Sequence, residues 1–249
     1  MKKFIPNLIL LILFFPACDF LKSNQTKKEA QTSQNTQKRE DIVMKTIYKV
    51  QENLKPTKLT GISEGQIADH WSLYIGYINQ TNKLNEELDA MQKANQSDTL
   101  TYADRRRRLN FEYNGMILHE YYFANLKAGC SQSESNQLAK AIESKWGSFD
   151  NWLKDFCNCG KTRGIGWAIL YADCTTGELN NHFIQDHENG NVAGFAPILV
   201  MDVWEHAYMV DHKSGGRLDY INAFIKNINW PVVEKRYQDL HEGKIFKRF

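Results

Sequence analysis

The segment DVWEHAY, residues 202–208, holds the densest group of side chains able to do chemistry. Asp202 and His206 lie four positions apart, so in one helical turn a carboxylate and an imidazole can face the same point. Both groups are common ligands of transition metals. The spacing therefore indicates two ligands of one metal ion, although a hydrogen bond between the two side chains is an alternative explanation.

Four segments together resemble the iron/manganese superoxide dismutases. DVWEHAY matches the family signature nearly letter for letter, and NGMILHEYYFANL (residues 114–126) is similar to the family's second-helix motif. GIGWAIL is similar to GSGWAWL, and RLDYINAFIKNINW resembles the closing segment RPDYIxxFWxxVNW. Because the matches occur in order along most of the chain, they are far more specific than any single motif.

The resemblance implies a metal site of three histidines and one aspartate. It assigns these ligands to His70, His119, Asp202 and His206. It also implies one Fe or Mn ion per chain, which changes oxidation state as two superoxide anions become O₂ and H₂O₂. His70 precedes Tyr77 by seven positions where the family pattern has eight, and a π-bulge in one member would absorb this difference.

The groups around the metal also follow from the resemblance. Tyr77 is assigned as the active-site tyrosine, Trp167 as the tryptophan that walls the metal site, and Arg217 as the arginine that guides the anion. Protein hydrogen bonds to the metal-bound solvent tune the potential of such a site. These neighbours are therefore expected to matter for both the rate and the choice of metal.

A glutamine usually contacts the metal-bound solvent in this family. One of its two possible positions is Gly115 here, which has no side chain for that contact. The other position falls in the segment IQDHENG, where His187 fits one family spacing to Asp202 and Gln185 fits less well. We predict His187 as the solvent partner, with Gln185 as the alternative.

The resemblance implies a homodimer. Glu205 is retained, so the family's bridge from this glutamate to the ligand histidine of the other chain is expected. A relay between a first-helix histidine and a tyrosine is lost, because its positions hold Met209 and either Leu73 or Tyr74. The net charge is only +2, which gives no general reason to expect a nucleic-acid partner.

The start of the chain is typical of an export signal. An apolar run from Phe4 to Phe15 follows two lysines and is too short for a permanent membrane span. Ala17 directly before Cys18 resembles the lipobox of bacterial lipoproteins. We predict a signal peptide over residues 1–17 and a lipid on Cys18, which would anchor the exported protein to a bacterial membrane, in the periplasm or at the cell surface. A plain signal peptide is the alternative.

The remaining chain divides into a tether and two folded parts. Residues 18–43 are polar and are expected to form a flexible tether. Residues 44–129 contain two helical patterns, 64–92 and 104–127, which predict an antiparallel hairpin ended by Gly129. Residues 130–249 are expected to form an α/β domain that binds the metal.

Residues 130–249 contain shorter helical and strand patterns than the hairpin. Ser148 is predicted to cap a short helix over residues 149–156, and Ser131 with Glu134 to open another. GIGWAILYAD, GELNNHFIQD and PILVMD predict three strands, and a helical pattern runs from Arg217 to about Leu240. The fold class is α+β: a long helical hairpin followed by an α/β domain with a small three-stranded antiparallel sheet.

Four cysteines follow Cys18, namely Cys130, Cys157, Cys159 and Cys174. In an exported protein an even number favours two disulfides, whose pairing the sequence leaves open. The alternative function for the whole chain is a non-catalytic metal-binding or membrane-tethered interaction protein on the same fold.

Overall fold

The computed structural model describes residues 47–130 and 136–243. Two long helices come first, α1 (Glu64–Lys93) and α2 (Leu100–Ala124), and pack along each other as a hairpin. Ser63 and Thr99 cap them, each accepting a hydrogen bond from the backbone N–H three residues ahead. The predicted hairpin is confirmed.

Helix α2 ends before the glycine that was expected to stop it. The prediction of Gly129 is wrong, because the helix stops at Ala124. The Asn125 side chain donates to the Val200 carbonyl at 2.7 Å, and Leu126 pairs with Ile228 through a backbone bridge. Long-range hydrogen bonds therefore replace the helical ones several residues before the left-handed glycine.

Two short helices follow, α3 (Gln137–Trp146) and α4 (Phe149–Gly160). Asn136 caps α3, while the expected capping residues Ser131 and Glu134 lie outside the described residues. Ser148 caps α4 as predicted, directly after Gly147 at φ 78°. Helix α4 extends to Gly160, four residues beyond its predicted end.

A three-stranded antiparallel sheet forms the centre of the second half, as predicted. Its strands are β1 (Gly166–Asp173), β2 (Leu179–Gln185) and β3 (Phe195–Asp202), in the spatial order β2-β1-β3. Trp167 of β1 lies opposite Asp202 of β3. This register places the tryptophan that was predicted to wall the metal site beside a predicted ligand. The hairpin and the sheet share one hydrophobic core.

The last helical pattern is two helices and not one. After the short α5 (Met209–His212) come α6 (Arg217–Lys226) and α7 (Trp230–His241). Asn227 breaks the pattern, because its side chain accepts from the Thr60 N–H and donates to the Thr60 carbonyl. Pro231 sits at the start of α7, where its missing N–H costs no helical bond.

The predicted disulfides are not found among the described cysteines. Cys130, Cys157, Cys159 and Cys174 are all free thiols. Cys157 and Cys159 are two positions apart on α4, so they point to different sides of the helix. The predicted signal peptide, Cys18 and the whole predicted tether lie outside the described residues. No helix in the described ranges has the length and hydropathy needed to cross a membrane.

Candidate metal centre

Four ligand side chains from four separate elements meet at one point. His70 comes from α1, His119 from α2, Asp202 from the end of β3, and His206 from a 3₁₀ turn, Glu205–Ala207. Their ligand atoms all lie within 4.8 Å of one another. The structure therefore brings together the whole set that the sequence named.

Asp202 lies at the centre of the cluster. Its Oδ2 is 3.1 Å from His70 Nε2, 3.1 Å from His206 Nε2 and 3.8 Å from His119 Nε2. Its Oδ1 accepts the Trp204 N–H at 2.8 Å, which fixes the carboxylate plane. Burial by itself would raise the pKa of Asp202, but His206 and His70 hold it well below the ordinary value, so the carboxylate is ionised.

His119 is oriented by its own helix. Its Nδ1–H donates to the Gly115 carbonyl at 2.6 Å, one turn earlier on α2. Its Nε2 is buried and has no hydrogen-bond partner among the described atoms. Burial lowers the pKa of His119 well below its ordinary value, so the ring is neutral and Nε2 carries a free lone pair.

His70 is also neutral and buried. Burial lowers its pKa, and the nearby Asp202 only partly opposes that shift. Three imidazole nitrogens and one carboxylate oxygen form a donor set that suits Fe or Mn. An orphaned buried nitrogen aimed at a carboxylate is the geometry expected of a metal site, so these residues fit one such ion.

The spacing of seven between His70 and Tyr77 needs no π-bulge here. Two turns of a regular helix return to nearly the same face after seven residues, and α1 is α-helical throughout. The rings of His70 and Tyr77 lie 4.9 and 5.0 Å from the His119 ring. The shorter spacing therefore places both side chains beside the same ligand.

Tyr77, His187 and Trp167 form a hydrogen-bonded chain next to the ligands. Trp167 Nε1–H donates to His187 Nδ1 at 3.1 Å, and His187 Nε2 lies 2.8 Å from the Tyr77 hydroxyl oxygen. An indole N–H can only donate, so His187 Nδ1 must be the acceptor and Nε2 must carry the ring proton. His187 therefore donates to Tyr77, which leaves the tyrosine's own hydrogen free for another acceptor.

Burial keeps His187 neutral. It lowers the pKa of the ring to about 4, with Asp202 opposing the shift and His206 adding to it. Gln185, the alternative solvent partner, is exposed on β2 and lies two residues before this position. The structure thus places His187, and not Gln185, against the cluster.

Gly115 leaves space that Tyr77 fills. A Cβ atom at position 115 would stand 2.7 Å from Tyr77 Cδ1, closer than real contacts allow. A larger side chain here would therefore displace the tyrosine ring. Tyr77 can pack as it does because position 115 holds a glycine and not a glutamine.

Several supporting residues were not predicted from the sequence. Gln66 donates to the His206 carbonyl at 2.6 Å and accepts the Val210 N–H at 3.0 Å, which fixes the ligand turn against α1. The Tyr220 hydroxyl donates to the Asp202 carbonyl at 2.7 Å. Gln66 lies one turn before His70, so helical spacing was the available signal.

Arg217 and Glu205 occupy different surroundings. The Arg217 guanidinium donates to the Gly160 and Gly164 carbonyls at 2.9 and 2.7 Å, which holds it half-buried before β1. Glu205 is exposed beside the half-buried ligand His206. The position of Glu205 leaves its carboxylate accessible to another molecule.

Comparisons with known proteins agree with this geometry. The family model described as iron/manganese superoxide dismutases, C-terminal domain, matches residues 134–236. The chain is 37% identical to a superoxide dismutase [Fe] of Aquifex aeolicus over 203 residues, covering 77% of this chain and 92% of that protein. It is 38% identical to a superoxide dismutase [Fe] of Aquifex pyrophilus, covering 75% and 89%. A superoxide dismutase [Mn] of Haloferax volcanii is 30% identical, covering 70% and 85%.

Proposed function

Because the chain belongs to the iron/manganese superoxide dismutase family and converts two superoxide anions and two protons to O₂ and H₂O₂, we propose that its metal ligands are the four clustered side chains. These are His70, His119, Asp202 and His206. The observation that carries this assignment is the buried His119 Nε2, which has no hydrogen-bond partner among the described residues and lies 3.8 Å from Asp202 Oδ2.

The side chains of this protein hold and orient the metal ion, and the ion supplies the redox chemistry. A bound Fe or Mn supplies one-electron chemistry, taking an electron from one superoxide and giving it to a second. Asp202 and the three imidazoles would hold the ion, while the Trp204 N–H and the Gly115 carbonyl fix the orientation of Asp202 and His119. Hydrogen bonds of this kind preserve ligand geometry and tune metal affinity.

Tyr77 and His187 are proposed to supply the ordered proton at the site. His187 donates its only ring N–H proton to Tyr77, so the hydroxyl hydrogen of Tyr77 is not used in that bond and is available to another acceptor. Burial raises the pKa of Tyr77, which keeps the hydroxyl protonated. By donating to Nδ1, Trp167 sets the tautomer of His187. It thereby sets the direction of both hydrogen bonds in the series Trp167–His187–Tyr77.

Reconstitution of the protein separately with Mn and with Fe tests the assignment. We expect superoxide dismutation with at least one metal, and no activity above the blank for His206→Ala. Activity with one metal only would identify the cofactor. A folded protein that binds either metal without turnover would contradict the proposed site and favour the non-catalytic alternative.

We also propose that the enzyme works outside the cytoplasm on a lipid anchor at Cys18. The support is the sequence alone: an apolar run, Ala17 before Cys18, and a polar tether that would let the folded part stand away from a membrane. Cys18→Ser in a bacterial host should move the protein from the membrane fraction to the soluble fraction. Equal membrane retention of both forms would contradict the anchor.

The active form is proposed to be a homodimer. Leu73, Met209 and Val210 are exposed apolar side chains on α1 and α5, and Glu205 lies exposed near them. Elements α1 and α5 are packed together, so these groups share one side of the site. Sedimentation should give twice the mass of the chain, and Met209→Glu should shift the equilibrium to monomers. A wild-type monomer at micromolar concentration would refute this.

A further inference from the structure

Four consecutive arginines lie on α2, and the first three of them are engaged in contacts along the hairpin. Each of these three pairs locally or with α1: Arg105 with Glu87, Arg106 with Tyr102, and Arg107 with Asp104. These contacts lie on exposed or half-exposed parts of the hairpin, where a charge pair contributes little to stability. These contacts are typical of a solvated helix face, so Arg105, Arg106 and Arg107 need no functional explanation.

Arg108 has different surroundings. Its Nε donates to Glu112 Oε1 at 2.7 Å, one turn ahead on α2. Its guanidinium carbon lies 4.3 Å from the centre of the Phe111 ring, within the range of a cation–π contact. The side chain is 57% exposed, so the charge is fixed in position but still meets solvent.

Phe111 connects this charge to the groups beside the metal. Its ring lies 4.6 Å from the His187 ring and 6.1 Å from the Tyr77 ring. One aromatic ring therefore separates the Arg108 guanidinium from His187. The same charge lowers the pKa of both His187 and Tyr77, although burial and closer acids outweigh it at Tyr77.

The burial of Glu112 determines which charge of the Arg108–Glu112 pair an approaching anion encounters. Its side chain is only 4% exposed, whereas that of Arg108 is 57% exposed. The pair therefore presents its positive member to solvent and its negative member to the interior. Without Arg108, an uncompensated carboxylate would lie near Tyr77 and repel an anion.

We propose that Arg108, held by Glu112 and Phe111, is a guiding residue that draws superoxide to the Tyr77–His187 side of the metal centre. This role is additional to that of Arg217, and it rests on the proposed metal site. It requires no contact with the reacting atoms, because a fixed charge at a rim raises the local concentration of an anion through its field.

The test compares Arg108→Gln with Arg107→Gln in metal-reconstituted protein. Both variants lose one positive charge from neighbouring positions, but Arg107 lies about 100° around the helix from Arg108 and pairs with the exposed Asp104. We expect Arg108→Gln to lower kcat/KM for superoxide by about two- to fivefold at low salt, and Arg107→Gln to change it by less than about 1.5-fold. The difference should shrink as salt is added.

Azide binding provides a readout that does not depend on turnover. This small anion should bind more weakly to Arg108→Gln by a similar factor, and more tightly to Glu112→Gln, which removes the opposing charge. The double variant, which has neither charge, should lie between the two single variants. Equal azide affinity and equal rates for Arg108→Gln and Arg107→Gln would overturn the proposal.

Two outcomes distinguish a failure of the proposed metal site from a failure of the proposed role of Arg108. If the parent protein shows no turnover with either metal, the proposed metal site is contradicted. If the parent is active but the two arginine variants are alike, only the role of Arg108 is contradicted. Should Arg108→Gln fail to fold, Glu112→Gln and the double variant carry the comparison, and equal azide affinity for these two would overturn it.

Discussion

His119 uses its two ring nitrogens for different purposes. Nδ1 is tied to the Gly115 carbonyl, while Nε2 is buried without a partner beside Asp202. A buried polar atom with no partner is costly, so its retention in the core indicates that something else satisfies it. The residue therefore contributes more to the holding of a metal than to the packing of the helices.

The first prediction concerns this nitrogen. His119→Ala should reduce the metal content after reconstitution by at least tenfold, because one of four ligands is lost. His182→Ala is the matched control, since His182 lies on β2 and outside the cluster, and it should leave the metal content unchanged. Elemental analysis of both purified variants checks this, and full metal content in His119→Ala would exclude the assigned role.

The second prediction concerns pH. His187 is neutral in the folded chain down to about pH 4, whereas in the unfolded chain it takes up a proton near its ordinary pKa of 6.5. The unfolded state therefore gains protons first as the pH falls. The contribution of His187 to the stability of the metal-free protein should decrease by about 3 kcal/mol between about pH 6.5 and pH 4 and then level off.

Urea unfolding of the metal-free protein at several pH values measures this effect. His187→Gln has no titrating ring and should show a shallower decrease over the same range. Parallel curves for the parent and the variant would mean that His187 does not titrate as described.

At the scale of residues, types, spacing and the family resemblance were sufficient to name the four side chains that the structure brings together. They were insufficient for the tautomer of His187, because that depends on Trp167 donating across the sheet. The pairing of Arg108 with Glu112 is visible as a spacing of four, but its position over Phe111 depends on a side-chain conformation. Contacts that depend on rotamers could not be predicted from the sequence.

Among the elements, the crossing of α1 and α2 depends on a missing side chain. Gly115→Ala would place a Cβ 2.7 Å from Tyr77 and should displace that ring. We expect a loss of about 1 to 3 kcal/mol in unfolding free energy and a lower turnover, because the hydrogen bond from His187 is disturbed.

Gly76→Ala is the control for this change. Gly76 is exposed on α1, and a Cβ there would have nothing within 4 Å. The substitution should stabilise the helix by about 0.5 to 1 kcal/mol and leave turnover unchanged. Thermal melts and assays of both variants check the pair, and similar losses in both would contradict the packing argument.

Helix α7 is fixed to the core by one buried cation. Arg236 donates to Asn125 Oδ1 at 2.5 Å and to the Ile198 carbonyl at 3.0 Å, and it lies over the Tyr121 ring. Burial lowers its pKa to about 9. These contacts join α7 to α2 and β3.

Replacement of Arg236 should therefore be costly. Arg236→Ala is expected to lower the unfolding free energy by about 3 kcal/mol or more, since buried acceptors lose a charged donor. Lys235→Ala removes the exposed partner of the buried Asp239 carboxylate and should cost about 1 kcal/mol, less than Arg236→Ala. Denaturant unfolding of the two neighbours checks this, and equal losses would show that Arg236 is not a structural link.

Helices and strands were predictable where one periodic pattern extended along the sequence. The hairpin and the three strands follow from such patterns. The end of α2 and the break after Lys226 were missed, because Asn125 and Asn227 bond to groups far along the chain. Hydrogen bonds of this range have no local signal in the sequence.

For the molecule as a whole, an ion bound only by the folded state must stabilise it. The four proposed ligands come from both the hairpin and the sheet region, so a bound ion would link the two. Metal-loaded protein should melt at a higher temperature than metal-free protein, by an amount that rises with free metal concentration. Scanning calorimetry with and without a chelator checks this, and identical melting temperatures would contradict the shared site.

The separation of the ligands along the chain determines when the metal can enter. His70 and Asp202 lie 132 positions apart, so an unfolded chain offers locally only the pair Asp202 and His206 and not the full set of four side chains. The site exists only after the hairpin has docked on the sheet. If the four side chains are the ligands, we expect the metal to be acquired after folding, from the supply in the compartment where folding finishes. We then expect the ratio of iron to manganese in protein from cells to depend on that compartment's metal supply as well as on the ligands.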